Sequence, residues 1–111
     1  MENEIRIGVV GCAGRMGQMI VAQVCATDGC NVVGATEHTG HAAVGNDVGS
    51  LAGLVSLGVK IGDDAASMIA AVDAVIDFTT PEATVEHARL AAQAGAAMII
   101  GTTGIDVTQG E

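Results

Sequence analysis

The chain has 111 residues, half of them hydrophobic, with 16 Gly, one Pro and a single aromatic residue, Phe78; 13 acidic side chains against four basic ones give a formal net charge of −9. That length supports one domain with an ample apolar core, and a mean hydropathy of +0.49 excludes intrinsic disorder. Four scattered cations (Arg6, Arg15, Lys60, Arg89) and the shortage of aromatics exclude a nucleic-acid interface, and no apolar run approaches the roughly 20 residues of a membrane span.

Ile5-Arg6-Ile7-Gly8-Val9-Val10 is a β-branched run closed by glycine and predicts a strand. From Arg15 to about Thr27, apolar residues at Met16, Met19, Ile20, Val24 and Cys25 recur near helical spacing, and Asp28-Gly29 ends that helix. Asn31 to Thr36 reads as a second strand. Residues 38 to 58 are rich in Gly, Ser and Asn and read as a long loop with one turn of helix. Val59-Lys60-Ile61 reads as a short third strand. Asp63 or Asp64 suits the cap of a helix running to about Ala71, because a short carboxylate accepts the first free backbone N–H groups. Ala74 to Phe78 is a fourth strand. Pro81 fits the first position of a helix that runs to about Ala94 and stops at Gly95, since its missing N–H costs nothing there. Ala97 to Ile100 is a fifth strand. Alternation of this kind predicts an α/β fold, a Rossmann-like doubly wound parallel sheet, and near-continuous apolar strands agree with burial on both faces.

Three segments carry chemistry. Gly11-Cys12-Ala13-Gly14-Arg15-Met16-Gly17 has glycines at G-x-x-G-x-x-G spacing between a strand and a helix. Gly11 suits a tight turn, Gly14 a close approach of backbone N–H groups to a pyrophosphate, and Gly17 close packing of the helix. The helix start adds unpaired donors and a positive dipole end, and Arg15 is a cation within reach of phosphate. Glu37 ends the second strand, 20 residues past Gly17, where a dinucleotide fold places its ribose acceptor. Its charge argues against a 2′-phosphate and for NADH, while a protonated His38 offsets that in part. Asp77-Phe78-Thr79-Thr80-Pro81-Glu82 and Gly101-Thr102-Thr103-Gly104 lie at the carboxyl ends of the last two strands, where open parallel sheets bind ligands. The spacing of His38, His41 and His87 offers no local metal site, and His87 stands out in nothing. No His–carboxylate constellation is legible. Cys12, Cys25 and Cys30, odd in number and without a C-x-x-C spacing, read as reduced core hydrophobes of a cytoplasmic protein. The acidic start, Met1 to Glu4, is unlike a secretory signal.

Together, Gly11 to Gly17, Asp77 to Glu82 and Gly101 to Gly104 resemble dihydrodipicolinate reductase of bacterial lysine and diaminopimelate synthesis, from about Ile5 onward. The resemblance implies reduction of 4-hydroxy-tetrahydrodipicolinate, a small dicarboxylate, by NADH or NADPH. It implies that Gly11, Cys12, Ala13, Gly14, Arg15, Met16 and Gly17 cradle the pyrophosphate, with Glu37 on the adenosine ribose. Some members of the family carry Arg at the position of His38 and set it on a 2′-phosphate. Phe78, Thr79, Gly101, Thr102 and Thr103 would surround the nicotinamide, and Thr103 resembles a position that also touches substrate. The family's His-His pair and following Lys belong to a substrate domain beyond this point, and no His-His pair occurs here. The expectation is therefore an incomplete dinucleotide-binding domain over residues 1–111, inactive alone, from a homotetramer assembled through its other domain. Competing expectations are another NAD(P)-dependent dehydrogenase and a non-catalytic nucleotide sensor.

Overall fold

The computed structural model describes residues 4–77, 79 and 81–100. Its elements run β1 (Ile5–Val10), α1 (Arg15–Cys25), β2 (Cys30–Thr36), α2 (Val48–Leu51), α3 (Ala65–Ala70), β3 (Ala74–Asp77), α4 (Pro81–Ala94) and β4 (Ala97–Ile100). The strands form one parallel sheet in the order β2-β1-β3-β4.

Helices cover both faces. Ile7, Val9, Val32, Ala35 and Ile76 pack with Val21 and Val24 of α1 and with Ala43, Val48 and Ile61 on one side. Val10 and Val75 pack with Ile69, Val72 and Ala91 on the other, where α3 and α4 lie. This is the doubly wound α/β arrangement expected from the alternation of elements. No helix among the described residues is long and apolar enough to cross a membrane.

Glycine brings α3 onto the sheet. Gly8 and Gly34 are register neighbours on β1 and β2. A Cβ at Gly8 would meet Met68 Sδ at 2.1 Å, and one at Gly34 would meet Met68 Cγ at 2.5 Å. Met68 therefore lies in a trough that any larger pair would fill.

Three expectations need correcting. First, the buried stripe of α1 is Gly17, Val21 and Val24, whereas Met16 and Met19 are 44% and 58% exposed. The stripe follows i, i+4, i+7 spacing from a glycine, which apolar counting passes over. Second, Val59 to Ile61 is no strand of the sheet; among the described residues it makes only isolated bridges, Asp47 to Lys60 and, just beyond it, Thr36 to Gly62. The N–H of Val48 donates to the Val59 carbonyl, that of Ile61 to Asn46, and that of Gly45 to Ile61. Those hydrogen bonds are spent on the preceding loop rather than on β2. Third, only Cys12 of the three cysteines is buried; Cys25 is exposed and Cys30 partly so.

The 38–61 segment is organised by Asp47. Its carboxylate accepts from the N–H groups of Ser50 at 2.9 Å, Leu57 at 3.0 Å and Val59 at 3.0 Å. The Ser50 and Leu57 N–H groups, in that order of effect, hold its carboxyl well below the usual carboxylate range. A depressed folded value means the stabilisation is full above the unfolded value of about 3.9 and is lost as pH falls below it. Melting temperature measured from pH 7 down to pH 2 is expected to drop in the acid limb, and Asp47→Asn to flatten that limb. An acid limb of identical slope in the variant would count against this role.

Candidate functional site

The turn after β1 is built as its glycines require. Gly11 has φ +81°, a left-handed conformation that side chains disfavour. The Thr36 carbonyl at the end of β2 accepts from Gly11 N at 2.9 Å and Cys12 N at 3.3 Å, which ties the loop to the neighbouring strand. A Cβ on Gly17 would lie 2.3 Å from Gly11 O and 2.7 Å from Cys12 Cα. A Cβ on Gly14 would meet only Gly11 O, at 3.6 Å, on an exposed stretch. Gly17 thus serves the packing of the helix against the loop, while Gly14 leaves space on the outside.

Ala13 is gripped from two sides. Its N–H donates to Glu37 Oε2 at 2.8 Å, and its carbonyl accepts from Gln18 Nε2 at 2.8 Å. Gln18 is a site residue that motif spacing passed over, since it lies one position beyond the glycine signature. Burial first, and the Glu37 charge second, push the Cys12 thiol up to about 12. Cys12 therefore stays a neutral packing residue. Gly14 caps α1 with no side-chain hydrogen bond. The next three N–H groups, of Arg15, Met16 and Gly17, find no acceptor among the described residues. Three adjacent donors at a positive helix end are suited to an oxyanion. The Arg15 side chain is exposed beside them and makes no ion pair among the described residues.

Glu37 is held in place: besides the Ala13 bond, its Oε1 accepts from His38 N at 3.3 Å. Carboxylate oxygens can each accept again, so a hydroxyl-bearing ligand has acceptors fixed in advance. Contrary to expectation, Glu37, His38 and His41 bring potential metal-ligand atoms within 4.8 Å of one another. Their hydrogen bonds decide against a centre. His38 Nδ1 lies 3.2 Å from the Thr39 carbonyl, so that nitrogen carries the proton and Nε2 keeps a lone pair. His41 Nδ1 accepts from Ala43 N at 3.0 Å, so in the neutral ring Nε2 is protonated and unavailable to a metal.

At the end of β3 the structure assembles a His–carboxylate pair that the sequence reading missed. Asp77 is completely buried. Its Oδ1 accepts from Thr79 N at 2.7 Å and Thr79 Oγ1 at 2.5 Å, and its Oδ2 lies 2.6 Å from His87 Nδ1. Thr79 Oγ1 is 3.4 Å from Thr84 Oγ1, itself buried. Burial pushes the Asp77 carboxyl up, but the hydrogen bonds from His87 and Thr79 outweigh it and leave the group below its ordinary range. Asp77 pairs in register with Val10, the residue before Gly11, and with Ile100 of β4. The glycine turn and this network therefore share the carboxyl end of the sheet. Of the remaining expected site residues, Phe78, Gly101, Thr102 and Thr103 lie outside the described residues, as do Thr80 and Gly104.

The family described as dihydrodipicolinate reductase, N-terminus, matches residues 5–111. The 4-hydroxy-tetrahydrodipicolinate reductase of Halorhodospira halophila (strain DSM 244 / SL1) is 51% identical over 105 residues, covering 95% of this chain and 39% of that protein. Among solved structures, dipicolinate-bound dihydrodipicolinate reductase from Paenisporosarcina sp. TG-14 is 28% identical with a TM-score of 0.68, covering 96% of this chain and 40% of that one. An amine dehydrogenase from Mycobacterium smegmatis is 33% identical with a TM-score of 0.74, covering 86% and 29%. The chain thus spans about two-fifths of the length of the reductases it matches.

Proposed function

The chain belongs to the dihydrodipicolinate reductase N-terminal family, and on that premise we propose that it is the pyridine-nucleotide-binding part of a 4-hydroxy-tetrahydrodipicolinate reductase. The observation that carries this reading is the row of three N–H groups at Arg15, Met16 and Gly17 beside an outward-open Gly14. A chain with net charge −9 has few cations for a polyphosphate. Backbone donors and one helix dipole fit such a ligand without them.

The roles follow from local chemistry. The Gly11–Gly17 turn holds the pyrophosphate through backbone N–H groups, with Arg15 as the nearby cation. Glu37, oriented by Ala13 and His38, accepts from the adenosine ribose hydroxyls. On the family resemblance, Phe78, Thr79, Gly101, Thr102 and Thr103 surround the nicotinamide in this reading. When bound, the dihydronicotinamide supplies a hydride. This chain supplies orientation, the proximity part of catalysis, while protonation and the clamp on a dianionic substrate come from another part of the protein. Its compartment in this reading is the cytosol, and the assembly is a homotetramer.

Calorimetric titration of the 111-residue chain with NADH and NADPH tests the proposal. Binding of at least one is expected, with NADH the tighter, because a fixed carboxylate repels a 2′-phosphate. Glu37→Ala is expected to weaken NADH about tenfold, as loss of charge-assisted hydrogen bonds does, and NADPH less. Failure to bind either nucleotide would refute the reading. Equal losses for both would remove Glu37 from the ribose.

A further inference from the structure

We propose that His87 is a positioning residue that acts through Asp77 to fix Thr79 at the nicotinamide end of the bound dinucleotide. The inference rests on the proposed function, in which Thr79 lines that end.

The three side chains come from three different places. Asp77 closes β3, Thr79 follows in the turn, and His87 lies in the second turn of α4. One carboxylate joins them, its Oδ1 serving Thr79 twice and its Oδ2 serving His87. An ionised carboxylate only accepts, so His87 Nδ1 is the protonated nitrogen. The His87 side chain is 12% exposed and Asp77 is sealed from solvent, so water does not substitute for any partner. Thr79 spends both its N–H and its hydroxyl proton on Asp77. It has no donor left for a ligand, and what the network secures is the position of its peptide and methyl group.

Stability alone does not call for this arrangement. Well-packed apolar residues can replace both partners of a buried hydrogen bond at little or no loss. A polar network needing three partners in register defines one geometry instead of several. It stands at the carboxyl end of β3, next to the strand that leads into Gly11. Open parallel sheets place ligands at that end.

The test compares NADH with ADP-ribose, which lacks the nicotinamide, by calorimetry on the 111-residue chain. His87→Leu removes the donor at similar volume and is expected to weaken NADH about tenfold, the loss of roughly one hydrogen bond to a charged group, while ADP-ribose stays within about twofold. His87→Asn, whose amide nitrogen takes the place of Nδ1, is expected to restore most of the NADH affinity. Combined with Thr79→Val, His87→Leu is expected to add nothing, because both act through one peptide. Should His87→Leu fail to fold, His87→Gln, whose amide falls at the Nε2 position, serves as the loss variant. Equal losses on both ligands, additive losses in the double variant or no rescue by Asn would overturn the positioning role. A wild-type chain that binds neither ligand would overturn the proposed function itself, a result distinct from these.

Discussion

Gly17→Ala is expected to lower NADH affinity by a hundredfold or more and to destabilise the chain by about 1–3 kcal/mol, the usual cost of forcing a methyl group into a packed contact. The added Cβ meets Gly11 O at 2.3 Å, Cys12 Cα at 2.7 Å and Cys12 C at 2.9 Å, all backbone atoms. A flexible side chain swings aside, but here the whole turn or the first turn of α1 has to move. Ala has the better helix propensity by about 1 kcal/mol, and the contact outweighs it because none of these backbone atoms is free to rotate away. Moving α1 also moves the N–H groups of Arg15, Met16 and Gly17, so binding is expected to fall together with stability. Gly14→Ala is the contrasting variant. Its Cβ meets nothing closer than 3.6 Å, so melting is expected to stay unchanged while affinity falls, because the methyl group enters the space left for phosphate. Denaturant unfolding and calorimetry separate the two. A Gly17→Ala chain that binds NADH like the wild type would refute the assignment.

The different legibility of the two halves of the site has a physical cause. The glycine turn and Glu37 were visible because their determinants are local: a strand, a turn with fixed glycine spacing, a helix, and an acid at the end of the next strand. Gly17 is also where local reasoning reaches packing, since a Cβ there would lie only 2.3 Å from Gly11 O, too close for any side chain. The Asp77–His87 pair was not visible. Its members sit on a strand and a helix whose relative placement depends on how α4 folds back over β3, and nothing local marks His87. The same holds for Glu37, His38 and His41. The sequence shows their numbers but not the turn, with His41 N donating to the His38 carbonyl at 3.1 Å, that brings the rings to 5.0 Å. The 59–61 segment misled for the opposite reason. Its Val and Ile have strand character, but Gly58 has φ +75° and Asp47 takes the Val59 N–H, so its partners come from the loop.

Asp77→Ala is expected to cost about 3 kcal/mol, because it leaves several donors without their acceptor. The change strands the N–H and hydroxyl of Thr79 and the Nδ1–H of His87, three donors that the structure directs at one carboxylate. Asp77→Asn separates charge from hydrogen bonding. The amide keeps one acceptor for Thr79 and presents its NH2 to His87, which answers by shifting its proton to Nε2 and accepting at Nδ1. That exchange leaves fewer groups unpaired, and a loss of about 1–2 kcal/mol is expected. The folded carboxyl lies below its ordinary range, so the wild-type contribution is full above the unfolded value of about 3.9 and is lost as pH falls through the folded one. Neither variant carries this share of the acid limb. Urea unfolding at pH 7 and pH 3 reads both effects: the gap between wild type and Asp77→Asn is expected to narrow at pH 3. A gap that stays constant would mean that the hydrogen bonds, and not the charge, hold the end of β3 to α4.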